Sequence, residues 1–356
     1  MIKYRKQMTL LNIRTTHIKD MLPYLIIIIL LHLIGVTCLW MGAHTHPILF
    51  GMGILAYTLG LRHAFDADHI AAIDNTVRKL MQEKQNPSGV GFYFSIGHSS
   101  VVFIMALLLG VSVSWAQRQM PLFQAIGGII GTMVSGLFLL LIGILNLIIL
   151  VSLIRLFMRL RFEQVSDDEL DQLLASRGLI QRFVGPYFKF INRSWHVLPL
   201  GFLFGLGFDT ASEIALLALS SGAAEQSLPF AGIIALPLLF AAGMSLLDTL
   251  DGALMKSAYH WAFLKPVRKI YYNITITAIS VIAALIIGTV EILQMIGEHF
   301  KLHSPFWDEV ASIEFNHLGY LLVGVFLLFW LVSVIIWKLN HFEEQQLREY
   351  SKLFLP

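Results

Sequence analysis

A string of imidazole and carboxylate groups interrupts an otherwise apolar segment: Arg62-His63-Ala-Phe-Asp66-Ala-Asp68-His69-Ile70. Further ionisable side chains stand in other apolar segments: His98, the acidic Asp209 and Glu213, and Asp248 with Asp251. Imidazole nitrogen with carboxylate oxygen suits nickel, cobalt, zinc or copper, whereas an all-oxygen set suits magnesium or calcium. The same groups suit a proton relay. Cys38 is the only cysteine, which excludes an intrachain disulfide and any multi-thiolate metal site. Met244 could add a soft thioether, although methionine more often fills gaps in a core. No His-Glu-x-x-His hydrolytic motif and no Gly-x4-Gly-Lys-Ser/Thr phosphate loop occurs. The pattern therefore favours a carried cation over a metalloenzyme or an ATP-driven pump.

The surroundings of these residues say where they work. The chain has 356 residues, 56% of them hydrophobic and 13% charged, against about 25% charged in soluble domains. Apolar runs long enough for roughly 30 Å of hydrocarbon recur throughout. Eight transmembrane helices are predicted: Met21–Trp40, Ile48–Ala72, Gly91–Trp115, Phe123–Ile154, Val197–Ser220, Phe230–Met255, Ile270–Ile296 and Leu318–Trp337. The first is too long for a signal-peptide core and ends without a small-x-small cleavage site. Excluding Asp74, near the end of its span, six carboxylates inside these helices would cost on the order of 15–20 kcal/mol if left unpaired in lipid. They must face one another, a watery cavity or a cation. Arg62 is the one basic residue near enough to neutralise any of them, which weighs against a purely structural role for the whole set.

The reading is thus of an all-α polytopic membrane protein, a single transmembrane domain over residues 1–356. With both termini cytoplasmic, 22 of the 25 Lys and Arg residues fall on the inner side and only Arg118 and Lys301 on the outer, as the positive-inside rule requires. The one long connection, residues 155–194, is predicted to be a cytoplasmic loop. Within it, Ser166-Asp-Asp-Glu169 forms a capping box ahead of Leu170, Leu173 and Leu174, which predicts a short amphipathic helix. Small residues mark close helix contacts at Gly127, Gly131 and Ser135, and again at Gly201, Gly205 and Gly207.

A weak internal repeat runs through these spans. Phe65-Asp66 with Ile70-Ala71 corresponds to Phe208-Asp209 with Ile214-Ala215, and Phe94-x-x-Gly97-x-Ser99 to Phe240-x-x-Gly243-x-Ser245. The two halves cross in opposite directions, which predicts an inverted repeat of spans one to three and four to six, the plan of many secondary transporters.

The motif also matches a known family. His63-x4-Asp68-His69 resembles the signature of the nickel/cobalt transporter family. Further family-like blocks follow in order: Gly91–Val102, Leu206–Glu213 and Gly243–Asp251. The resemblance covers nearly the whole chain and implies high-affinity uptake of Ni²⁺, with Co²⁺ as a second cargo, by a single-polypeptide permease of the bacterial inner membrane. It implies His63, Asp68 and His69 as the core of metal recognition, with His98, Asp209, Glu213, Asp248 and Asp251 as essential polar residues. Downstream nickel enzymes such as urease or hydrogenase are implied by it alone. The span-five block has Ser212 where the family often has Thr, which leaves the acidic pair intact. The histidine-rich stretch common in family exporters is missing, which favours import. No cofactor and no nucleic-acid partner are expected; the metal is cargo. A membrane metal sensor or a channel-like proton path is the competing function.

Helical geometry adds one expectation that departs from the signature. At about 100° per residue, His63, Asp66 and His69 share a stripe roughly 120° wide, while Asp68 falls about 100° from His69. Either span two is broken within the motif, or the metal-facing set is His63–Asp66–His69, with Asp68 orienting a histidine or pairing with a group on another span; the stripe is the reading adopted. Replacing Asp66 with Asn should weaken metal binding at least as much as Asp68→Asn, as equilibrium ⁶³Ni²⁺ binding to the two variants would show; a larger loss in Asp68→Asn would reverse the assignment.

Overall fold

A computed structural model of the protein describes residues 2–111, 113–162, 191–207, 211–226, 228–263, 266–313, 319–328 and 331–332, and every regular element in them is helical. In chain order these are α1 (Ile2–Ala43), α2 (Ile48–His63), α3 (Ala67–Gln82), α4 (Val90–Val111) and α5 (Val113–Phe162). A 3-10 turn, Ser194–Val197, leads into α6 (Leu198–Gly205), followed by α7 (Ala211–Glu225), α8 (Phe230–Phe263), α9 (Pro266–His299), α10 (Pro305–Ala311) and α11 (Gly319–Leu328).

Five segments are long and apolar enough to span a bilayer: Lys19–Ala43, Val90–Leu109, Ile126–Ser152, Phe230–Tyr259 and Ile274–His299. Helices α2 and α3 make a sixth when taken as one span bent by 53°. The chain is a multi-pass membrane protein. Its polarity runs opposite to that of a soluble domain. Ile29, Leu33 and Trp40 of α1 and Leu137, Leu141 and Ile144 of α5 are exposed, while His69, Asp74, Arg78 and Asp248 are buried. Lipid solvates the first group and protein must solvate the second.

Three sequence expectations change. Span two is two helices, so the regular-helix premise behind the His63–Asp66–His69 stripe fails: residues 64–66 leave the helix and Asp66 is extended, with φ −63° and ψ 141°. Span five is likewise divided, α6 ending at Gly205 and α7 beginning at Ala211. The connection between spans three and four, expected to be an outer loop, is helical, because α5 starts at Val113 and runs on to Phe162, eight residues into the expected cytoplasmic loop. The amphipathic helix expected in that loop, after Ser166, lies outside the described residues.

Backbone-to-backbone contacts seat the broken spans. A Cβ on Gly60 of α2 would overlap the Phe240 carbonyl of α8, and one on Gly243 of α8 would crowd the Tyr57 carbonyl of α2. On the other side, Gly201 of α6 abuts the Phe94 carbonyl of α4, and Gly97 of α4 abuts the Leu198 carbonyl of α6. Gly131 of α5 meets Gly207 just beyond α6 in the same way. Helix α5 packs mainly along α9, and α1 along α8. One apolar cluster joins Ile70 and Ile73 of α3 with Phe94, Leu139 and Phe326; another joins Leu49 and Leu59 of α2 with Leu236, Phe240 and Met244 of α8.

A buried ionic network ties α3 to α8 and α9. Arg78, with no exposed surface, reaches Asp74 at 3.2 Å, the Tyr259 hydroxyl at 2.6 Å and the Ile276 carbonyl at 3.2 Å, and also donates to Ser280. The Tyr259 hydroxyl donates to Asp74 in turn, and the guanidinium lies 5.1 Å from the Tyr259 ring centre. Removing one member of such a pair strands the other charge in a dry interior, at about 3–5 kcal/mol. Arg78→Gln should therefore lower the unfolding temperature of the purified protein markedly, whereas Arg193→Gln, at an exposed position, should leave it within a degree or so of wild type, as a thermal melt in detergent would measure.

Candidate metal site

The break in span two builds the site. Helix α2 delivers His63 from its last residue, three residues turn the chain, and α3 delivers His69 from its first turn. The turn is closed by the Phe65 amide donating to the Arg62 carbonyl at 3.0 Å and the Asp66 amide to the His63 carbonyl at 2.9 Å. Helix α4 brings His98 against both. The three imidazole rings form a nearly equilateral triangle, with centres 4.6 Å apart for His63–His69, 4.7 Å for His63–His98 and 4.6 Å for His69–His98.

All three are buried, at 1%, 0% and 3% exposure, and one nitrogen from each can be chosen so that the set lies within 4.8 Å. Two nitrogens on one ion, each at about 2.1 Å, are at most about 4.2 Å apart. A closure of roughly 0.6 Å would therefore bring the widest such pair within reach of one ion. Phe94 stands edge-on to His69 at 4.8 Å and Phe240 packs against His63 at 5.6 Å, so aromatic walls from the two apolar clusters enclose the triangle.

Carboxylates surround the imidazoles. Asp66, at the start of α3, makes no side-chain cap to that helix; its Oδ2 lies 3.1 Å from His63 Nδ1 instead. Glu213, in the first turn of α7, places Oε1 2.9 Å from His98 Nε2, and that nitrogen is also 2.8 Å from His63 Nε2. One hydrogen on His98 Nε2 cannot be given fully to both, so the two contacts compete for it. Asp248 of α8 has Oδ2 3.4 Å from His69 Nδ1, outside hydrogen-bonding geometry. Asp68 accepts the His69 backbone amide at 2.8 Å, which fixes the start of α3 beneath the His69 ring. Asp251 stands three residues beyond Asp248 on α8, and Asp209 lies outside the described residues. Met244, at the repeat position of His98, is buried in the apolar cluster and accepts only a weak contact from Ser99 at 3.9 Å.

Neither ring nitrogen of His69 has a hydrogen-bond partner among the described residues, and Asp248 Oδ2 stands beside that ring without closing a hydrogen bond to it. Leaving a buried polar group unsatisfied costs about 1–3 kcal/mol, and more for a charged one. A ligated cation would satisfy them.

Residues 49–336 match the family described as high-affinity nickel-transport protein. The chain belongs to this family. It is a family of transporters, not of enzymes. Similar relatives include the nickel transporter NixA of Staphylococcus aureus, 69% identical over 91% of this chain and 96% of its own length. The high-affinity nickel-transport protein NixA of Helicobacter pylori is 52% identical over 89% and 97%. The cobalt transport protein NhlF of Rhodococcus rhodochrous is 38% identical over 90% and 92%. No solved structure matches.

The sequence pointed to His63, His69, His98, Asp66, Glu213 and Asp248, which the fold gathers. It missed the aromatic walls Phe94 and Phe240, although both open the repeated Phe-x-x-Gly strings. Imidazole binds metal only when neutral, with an ordinary pKa near 6.5, so acid must compete with the ion. Equilibrium Ni²⁺ affinity of the purified protein should fall at least about tenfold between pH 7.5 and 5.5; a flat profile in a titration without membrane potential would argue against histidine ligation.

Proposed function

We propose that this transporter takes up Ni²⁺ across the bacterial cytoplasmic membrane by enclosing it at the His63–His69–His98 triangle. The observation that carries this reading is three buried imidazoles whose nitrogens lie within 4.8 Å of one another. In this account the imidazoles are the ligands, Asp66, Glu213 and Asp248 offset the cation's charge, and Asp68 orients His69. Asp209 and Asp251 serve as further essential acidic residues in this account. Co²⁺ is a second cargo, since its ligand preferences are close to those of nickel. The ion taken up supplies nickel enzymes such as urease or hydrogenase.

The broken second and fifth spans, and the crossed seating of α2 on α8 and α6 on α4, support an inverted repeat of spans one to three and four to six. They also support alternating access around a central site. Eight spans with both termini cytoplasmic remains the topology that the Lys and Arg distribution favours, with residues 155–194 on the inner side. Transport inward needs no ATP. A divalent cation gains about 4.6 kcal/mol across 100 mV, enough to hold roughly a thousandfold gradient.

A proton path is the second reading, because the unbroken His63–His98–Glu213 contact is also a route for a proton. Reconstituted liposomes separate the two. Inside-negative potential should drive ⁶³Ni²⁺ uptake in wild type, and His63→Ala and His69→Ala should each lower it at least about tenfold while inserting normally. Near-normal nickel uptake by either variant would sink the metal assignment, and proton flux without metal would favour the alternative.

A further inference from the structure

The break that builds the metal site has no local cause. Ala64, Phe65 and Asp66 include neither proline nor glycine, the usual sources of a sharp bend, so something outside the span must hold it. Helix α11 sits against it. A Cβ added to Gly319, the first residue of α11, would overlap the Phe65 carbonyl oxygen and lie 3.2 Å from the Ala67 amide nitrogen. The next residue, Tyr320, packs its ring on Phe65 with centres 4.8 Å apart and planes 30° from parallel. Beyond it, Leu322, Val323 and Phe326 join the apolar cluster that holds Ala67, Ile70 and Ala71 of α3. Helix α2 is seated separately, by Gly60 against the Phe240 carbonyl of α8. Both halves of span two pack on α8, but the bend between His63 and His69 itself lies against α11.

We propose that Gly319 is a positioning residue of the metal site. By admitting the backbone of the break against α11, it fixes the angle between α2 and α3, and with it the separation of His63 from His69. This rests on the histidine triangle being the metal site. Any side chain at position 319 must drive the Phe65 carbonyl away by more than about 1 Å, where working sites tolerate roughly 0.5 Å. The consequence is selective. Zinc, with no d-electron preference for geometry, adapts to a shifted triangle, whereas nickel holds to stricter arrangements.

The test compares purified Gly319→Ala with Gly324→Ala, on the same helix at a position where a Cβ meets nothing within 4 Å. Equilibrium Ni²⁺ and Zn²⁺ binding, the visible spectrum of bound Co²⁺ and the unfolding temperature are measured for each. Gly319→Ala should lose nickel affinity at least about tenfold but zinc affinity less than about threefold, with a changed cobalt spectrum. Gly324→Ala should match wild type. Tyr320→Ala, which removes the ring brace and adds no atoms, should shift the nickel-to-zinc ratio in the same direction. Wild-type binding of both ions by Gly319→Ala and Tyr320→Ala would overturn the proposal, as would an equal loss of both ions in step with a lowered unfolding temperature. Should His69→Ala retain wild-type nickel binding, the metal-site reading itself fails, whatever the two α11 variants do.

Discussion

Ionisable side chains are expensive inside a hydrocarbon slab, and the interior of this protein is organised around that expense. A carboxylate near the bilayer centre costs a few kcal/mol even on gentle scales. The structure answers by turning Leu, Ile and Trp side chains outward and gathering histidine and carboxylate groups at the seam between two apolar clusters. Two polar assemblies result, and they differ in kind. Around Arg78 the charges neutralise one another: guanidinium, carboxylate, phenol and hydroxyl account for most of the donors and acceptors. Around His69 they do not. Imidazoles face imidazoles, and carboxylates stand beside them. The first assembly is largely satisfied by protein groups, whereas the second leaves both His69 ring nitrogens without a hydrogen-bond partner among the described residues.

Concentrating three imidazoles at one point requires that backbone be bent where lipid would not tolerate it. Irregular backbone at membrane depth is stable only when protein surrounds it. Here the surroundings are other backbones: glycines on α2, α4, α6 and α8 let carbonyls approach at distances a methyl group would forbid. Each broken span is thereby gripped by a long helix from elsewhere in the chain, and α11 closes over the bend in span two. The arrangement is rigid where glycine contacts lock it. It offers natural joints at the two breaks, the places where a carrier that alternates between faces would move.

Much was legible before any coordinates. Long apolar runs dictate helices, because a backbone in lipid must satisfy its own hydrogen bonds, and the chemistry of His63, His69 and His98 with their carboxylates named the class of ligand. These are properties of residue type and of spacing along one chain. Asp66 beside His63 was also anticipated, though from a stripe on an unbroken helix that the structure does not contain; the pairing survives because three residues of turn still leave Asp66 close to His63.

Only the tertiary structure decided which groups meet. His98 and Glu213 are 115 positions apart in the chain, and no periodicity relates them. The bend at residues 64–66 was one of two alternatives that the motif's spacing allowed, and no proline or glycine there decided for it, because its restraints lie on α8 and α11, far along the chain. The division of span five, by contrast, falls where Gly205 and Gly207 loosen the backbone. Composition and spacing determined a helical membrane protein with a buried imidazole–carboxylate chemistry. Long-range backbone contacts determined the geometry in which that chemistry can hold one ion, since the energy that bends a helix comes from its neighbours and not from its own residues.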